Sequence, residues 1–173
     1  LVSDVNTCED TTEITVFVNP KPNIDAGPDQ FICIGDSTSL SASGNAITYT
    51  WDNGVLDGVN FLVSSDQQYI LTGTDANNCV NSDTIYISVI QLPNIDAGND
   101  VSICLDDSIQ LNASGGATYS WSPITNISNA NVVDPFVFPG SDTKYYVTGT
   151  DTNGCANIDS VQITIDAVPT ITT

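Results

Sequence analysis

Pro22-Asn23-Ile24-Asp25-Ala26-Gly27 recurs as Pro93-Asn94-Ile95-Asp96-Ala97-Gly98, 71 residues further along the chain. Identity over six residues at a fixed spacing marks an internal repeat, and the rest of the sequence is read from it. Cys33 matches Cys104 at the same offset, and Tyr49-Thr50-Trp51 matches Tyr119-Ser120-Trp121 at 70. Thr72-Gly73-Thr74-Asp75 and Cys79 match Thr148-Gly149-Thr150-Asp151 and Cys155 at 76, so an insertion of six residues lies around Ile124 to Ser141. The flanks continue the series. Asp4 and Cys8 align on Asp75 and Cys79, and Val168-Pro169-Thr170-Ile171 stands where Leu92-Pro93-Asn94-Ile95 stood. The chain therefore divides into residues 1–19, the closing strands of a preceding repeat; 20–92 and 93–168, two whole repeats; and 169–173, the start of a following one.

Within a repeat the apolar residues alternate in short runs bounded by turn residues, a strand pattern. In the second repeat these runs are 101–104, 108–113, 118–121, 132–138, 144–150 and 160–165, broken by Gly115-Gly116, Pro139-Gly140-Ser141 and Asn153-Gly154. Hydrophobic residues make up 40% of the chain, which separates it from disordered acidic tails. The expected fold is all-β: tandem Ig-like sandwiches, with a barrel as the runner-up, joined end to end as a rod, since only Gln91 and Leu92 separate one repeat from the next.

The 173 residues carry 21 acidic and 2 basic side chains, a net charge of -19, with no histidine. Both bases are lysines, so there is no arginine either. A nucleic-acid partner is excluded because phosphate binding needs Lys or Arg, and anionic lipid is excluded on the same ground. Histidine triads, His-ligated zinc and arginine clamps are ruled out. No run is long and apolar enough to insert in a membrane. A carboxylate-pair hydrolase would need a cleft, which modules of this size in series rarely build. The chain is expected not to be an enzyme and to require no cofactor.

Each whole repeat has one cysteine before its second strand and one after the Thr-Gly-Thr-Asp stretch. First and last strands often run side by side in a sandwich, so Cys33 with Cys79 and Cys104 with Cys155 are the expected disulfides. Cys8 is left unpaired within the chain. Disulfides imply an extracellular, cell-surface or periplasmic setting, and an extracellular, cell-surface location is expected.

Asp25-Ala26-Gly27-Pro28-Asp29-Gln30, Gly35-Asp36-Ser37, Tyr49-Thr50-Trp51-Asp52-Asn53-Gly54 and Tyr69 to Asp75 together resemble a PKD-type Ig-like domain. The version with these cysteines is similar to modules repeated in Bacteroidota surface adhesins, the SprB-like adhesins of gliding motility and other type IX secretion cargo. The second repeat departs from the pattern, with Trp121-Ser122-Pro123 in place of Trp-Asp-Asn-Gly. The resemblance implies a secreted adhesion protein whose repeats act as a semi-rigid, disulfide-stapled stalk. Neighbouring repeats of the same chain are its partners, with surface glycans or other copies of itself as further ones. A carbohydrate-binding or accessory module of a secreted hydrolase, and a subunit of an extracellular filament or sheath, stand as alternatives.

Three groups of residues are candidate sites. Asp25, Asp29 and Asp75, with Asp96, Asp100, Asp151 and Asn153 as counterparts, are expected to meet at one pole of each sandwich, where their oxygens would suit Ca2+; some PKD-type domains bind calcium near this opening. Asp-Ser/Thr-apolar tripeptides place Thr11, Ser37, Thr84, Ser108 and Ser160 in what looks like the O-glycosylation motif of Bacteroidota. Trp51 and Trp121 are read as core residues of the third strand rather than as sugar-stacking platforms.

Overall fold

The computed structural model describes residues 12–166 in full and, ahead of them, the backbone of two short strands, β1 (Val2–Ser3) and β2 (Glu9–Asp10). In the first repeat follow β3 (Ile24–Asp25), β4 (Gln30–Cys33), β5 (Ser37–Thr38), β6 (Ser43–Gly44), β7 (Thr48–Trp51), β8 (Phe61–Leu62), β9 (Gln67–Thr74) and β10 (Val80–Ile90). In the second come β11 (Val101–Cys104), β12 (Ile109–Gln110), β13 (Thr118–Ser122), β14 (Phe136–Val137), β15 (Thr143–Thr150) and β16 (Ala156–Asp166). All regular structure among the described residues is β.

The two repeats build the same sheet. Its order is β4-β10-β9-β7 in the first and β11-β16-β15-β13 in the second, with short ribbons β3–β6, β5–β8 and β12–β14 beside them. In both, the first long strand lies parallel to the last, Cys33 opposite Ile90 and Cys104 opposite Asp166. The closing hairpin of the second repeat pairs Gly149 with Asn157 and Thr150 with Ala156. Val2 with Asp10 and Ser3 with Glu9 pair at the equivalent positions, so β1 and β2 share the register of that hairpin.

Each sheet has one apolar face. Tyr145, Val147, Val161 and Ile163 alternate along β15 and β16, are almost fully buried, and pack with Trp121 of the same sheet and with Ile95, Leu111, Ala113 and Val137 from outside it. Burying an Ile, Leu or Val side chain contributes roughly 1.5–3 kcal/mol, so this cluster is the main source of stability. Tyr69, Leu71, Ile85 and Ile87 repeat the pattern on β9 and β10. Gly73 and Gly149 lie inside strands, in the core. A Cβ on either would stand 2.2 Å from the Cδ1 of Ile24 or Ile95, so glycine leaves the space those isoleucines fill.

The described residues form two compact units. One takes in residues up to Asp29 together with Ser39–Phe61 and Gln68–Tyr86; the other takes in Gln30–Thr38, Leu62–Gln67 and the chain from Ile87 onward. The unit boundary therefore differs from the repeat boundary: β4 and Cys33 belong by sequence to the first repeat and by packing to the second unit.

Candidate functional site

The cysteines do not pair as their order suggests. Cys33 is bonded to Cys155 across 122 residues, and Cys79 and Cys104 are free thiols, Cys79 half-buried and Cys104 exposed. The expected Cys33–Cys79 and Cys104–Cys155 bridges are absent, and the register explains why. The first and last strands do run side by side, but in parallel and offset. Cys104 faces Asp166 at the end of the 11-residue strand β16, whereas Cys155 immediately precedes its start. Eleven residues of strand span about 36 Å, several times the reach of a disulfide. Cys33, opposite Ile90, is set apart from Cys79 along β10 in the same way. The observed bridge thus joins the two sequence repeats, with both of its cysteines in the second compact unit. Cys8 lies outside the described residues.

Each closing cysteine is held by a small acidic loop. Asp75 Oδ1 accepts the amides of Asn77 and Cys79, both at 2.8 Å, and Asp151 Oδ1 accepts those of Asn153 at 2.8 Å and Cys155 at 2.9 Å. Asn78 and Gly154 take positive φ values of 60° and 88° to close the turn. Partial desolvation of Asp151 raises its pKa, but the amides of Cys155, Asn153 and Gly154 outweigh this and hold the carboxyl below the usual range.

The other acidic residues serve the backbone too. Asp25 and Asp96 accept the amides of Gly27 and Gly98, each at 2.9 Å. Asp29 and Asp100 accept those of Tyr86 and Gln162, each at 2.8 Å. Tyr86 lies on β10, seven residues beyond Cys79, which precedes that strand, so Asp29 sits roughly 23 Å along the chain direction of β10 from Asp75. The expected meeting of Asp25, Asp29 and Asp75 at one pole therefore does not occur, nor does that of Asp96, Asp100, Asp151 and Asn153, because these carboxylates are strung along the last strand. Among the described residues no three Asp, Glu, Cys or His side chains converge as metal ligands.

Sequence reasoning missed the residues that pin the opening segment. Asp83 and Asp159 each accept, at 2.8 Å, the amide of Ala26 or Ala97. Asn81 and Asn157 donate to the carbonyls of Pro22 and Pro93 at 2.9 and 3.0 Å. The amides of Ala26 and Thr84 hold the Asp83 carboxyl below the usual carboxylate range. The available signal was the recurrence of Asn and Asp at matched positions in each last strand.

Of the tripeptide hydroxyls, Ser37, Thr84 and Ser108 are exposed, Ser160 is half-buried, and Thr11 lies outside the described residues. Trp51 and Trp121 are buried, at 8% and 1% exposure, so neither offers a flat face to a sugar. Their indole N–H groups donate to Asp57 Oδ1 and to the Val132 carbonyl, both at 3.0 Å.

No protein-family model and no curated protein matches the sequence. Among solved structures, the chain is similar to the N-terminal Ig1-2 module of the Drosophila receptor protein tyrosine phosphatase DLAR, at 11% identity and a TM-score of 0.35 over 85% of this chain and all of that one. It is similar to the insect immune protein hemolin at 11% and 0.41, covering 90% of this chain and 49% of hemolin. The fibronectin(III)-like modules of Clostridium thermocellum CbhA give 11% and 0.40, over 84% and 94%. Likeness at this level concerns the β-sandwich fold alone.

Proposed function

We propose that the chain is a load-bearing segment of an extracellular stalk built from repeated Ig-like sandwiches, which extends an adhesive part of a bacterial surface protein away from the cell. The observation that carries this reading is the Cys33–Cys155 disulfide, a covalent tie between one sequence repeat and the next. It ties the opening strand of the first repeat to the closing loop of the second within one compact unit, so load applied to the chain ends bypasses the segment between the two cysteines. Disulfides of this kind belong to oxidising compartments.

The acidic side chains support a structural role. They accept backbone amides in both repeats, and their excess charge keeps repeated surfaces soluble and mutually repelling. The buried tryptophans remove the two indole platforms that the carbohydrate-binding alternative would have used. The resemblance to SprB-like adhesins carries the finer assignment to gliding motility and type IX secretion, and the exposed Ser37, Thr84 and Ser108 are the hydroxyls best placed to carry glycans.

Single-molecule pulling between the chain termini tests the mechanical reading. With the bridge closed, the residues between Cys33 and Cys155 are shielded from load, so reductant should add about 400 Å of contour length for the 122-residue separation. Equal contour lengths in oxidised and reduced chains would refute it.

A further inference from the structure

The chain carries each half of the observed bridge twice. One half is a cysteine ending the first long strand: Cys33 opposite Ile90, and Cys104 opposite Asp166. The backbone turns in the same way after both, with Asp36 N donating to the Cys33 carbonyl at 3.0 Å and Asp107 N to that of Cys104 at 3.1 Å. The other half is a cysteine closing the acidic loop: Cys155 held by Asp151, and Cys79 held by Asp75 with the same two amide bonds. Cys33 and Cys155 are joined, which shows that an opening-strand half and a closing-loop half are complementary. Cys104 and Cys79 are the same two halves, and both are free.

We propose that Cys79 and Cys104 are the two ends of a disulfide relay, each built to bond another copy of this repeat. Cys79 takes the opening-strand cysteine of a repeat placed before it. Cys104 takes the closing-loop cysteine of a repeat placed after it. In an array, every adjacent pair of repeats is then bridged from the opening cysteine of one to the closing cysteine of the next, and Cys8 is the closing cysteine of its own repeat. Each bridge forms when two thiols lose two protons and two electrons. A small-molecule disulfide such as oxidised glutathione accepts them by exchange and leaves as two thiols. The inference rests on the tandem-repeat reading, but it is tested between chains, whereas pulling tests the bridge within one chain, so either can fail alone.

The experiment mixes two full-length variants, Cys8→Ser with Cys104→Ser and Cys8→Ser with Cys79→Ser, in a glutathione redox buffer. The first keeps only the closing-loop thiol and the second only the opening-strand thiol, alongside the intact Cys33–Cys155 bridge. Random collision of thiols gives as much heterodimer as the two homodimers together. Complementary halves should give a heterodimer excess of about tenfold, which corresponds to one tenfold step in docking affinity. Its linked peptides should join Cys79 to Cys104. Equal amounts, an excess of homodimer, no dimer, or linkage through Cys33 or Cys155 would each overturn the proposal. Unchanged melting of both variants confirms that their folds are intact.

Discussion

The stretch between the third-strand tryptophan and the penultimate long strand is where the two repeats differ most. In the first repeat Trp51-Asp52-Asn53-Gly54 turns tightly and leaves a groove of about 280 Å3 lined by Tyr49, Trp51, Val55, Leu56 and Asp57. In the second, the six extra residues fold back over the indole. Trp121 N donates to the Ala130 carbonyl at 2.8 Å, and Ile127 and Ala130 pack against the core. Tyr145 Oη reaches the carbonyls of Thr125 and Asn126 at 3.4 Å. The indole partner changes with it, from a carboxylate to a backbone carbonyl. The sheet order and the acidic loops do not change. The frame tolerates insertion at that loop because neither the long strands nor the cysteine positions depend on it.

The largest expected effect concerns equivalent cysteines with unequal fates. Cys155→Ser should cost about 5 kcal/mol in the chain-entropy model, given a loop of 122 residues. Cys79→Ser and Cys104→Ser should leave stability unchanged in the isolated chain, because both thiols are free. Denaturant titration of the three variants decides it, and a loss in either free-thiol variant comparable to that of Cys155→Ser would break the assigned connectivity.

Next in size are the tryptophans. Trp121→Ala should cost about 3–5 kcal/mol, the usual range for deleting a buried aromatic side chain. Trp51→Ala should fall below it, since the first-repeat indole lies beside an open groove and its cavity can fill with water. Each variant keeps the other tryptophan as its fluorescent reporter. Equal losses would mean that the insertion adds nothing to core packing.

These contrasts show what was readable in the residues. The repeat, the all-β class and the strand positions followed from identity at fixed offsets and from period-two alternation, both local properties. The cysteine pairing was not readable, because it depends on the offset between two parallel strands, and strand order alone does not fix that offset. Asp29 and Asp75 both lie just outside regular strands, but whether two such positions share a pole depends on where each meets the last strand. Why a glycine stands at position 73 was not readable either, since the reason is Ile24, which is distant in sequence.

A smaller effect separates the anchors of the opening segment. The Asp83 pKa lies below its unfolded value, held there by the amides of Ala26 and Thr84. Its stabilisation is therefore present above the unfolded pKa near 4 and is lost as pH falls through the folded value. Asp83→Asn should cost less than about 1 kcal/mol after discounting for solvent screening. It should also flatten the stability profile below about pH 4. An unchanged acid limb would assign the stabilisation to other carboxylates.

The smallest expected effect is that of calcium, and its size separates two uses of the same carboxylates. If Asp25, Asp29 and Asp75 served a shared cation, chelator would lower the melting temperature and the equivalent residues of the second repeat would respond in step. Their oxygens instead accept separate amides, those of Gly27, Cys79 and Tyr86, and the counterparts in the second repeat accept those of Gly98, Cys155 and Gln162. Melting should therefore shift by less than about 1 °C between chelator and millimolar calcium, since a ligand with no differential affinity for the folded state does not move the equilibrium. A shift of several degrees, abolished by Asp75→Asn but not by Asp29→Asn, would show that the acidic loop beside Cys79 binds the ion by itself and that its amide bonds are only half of its work.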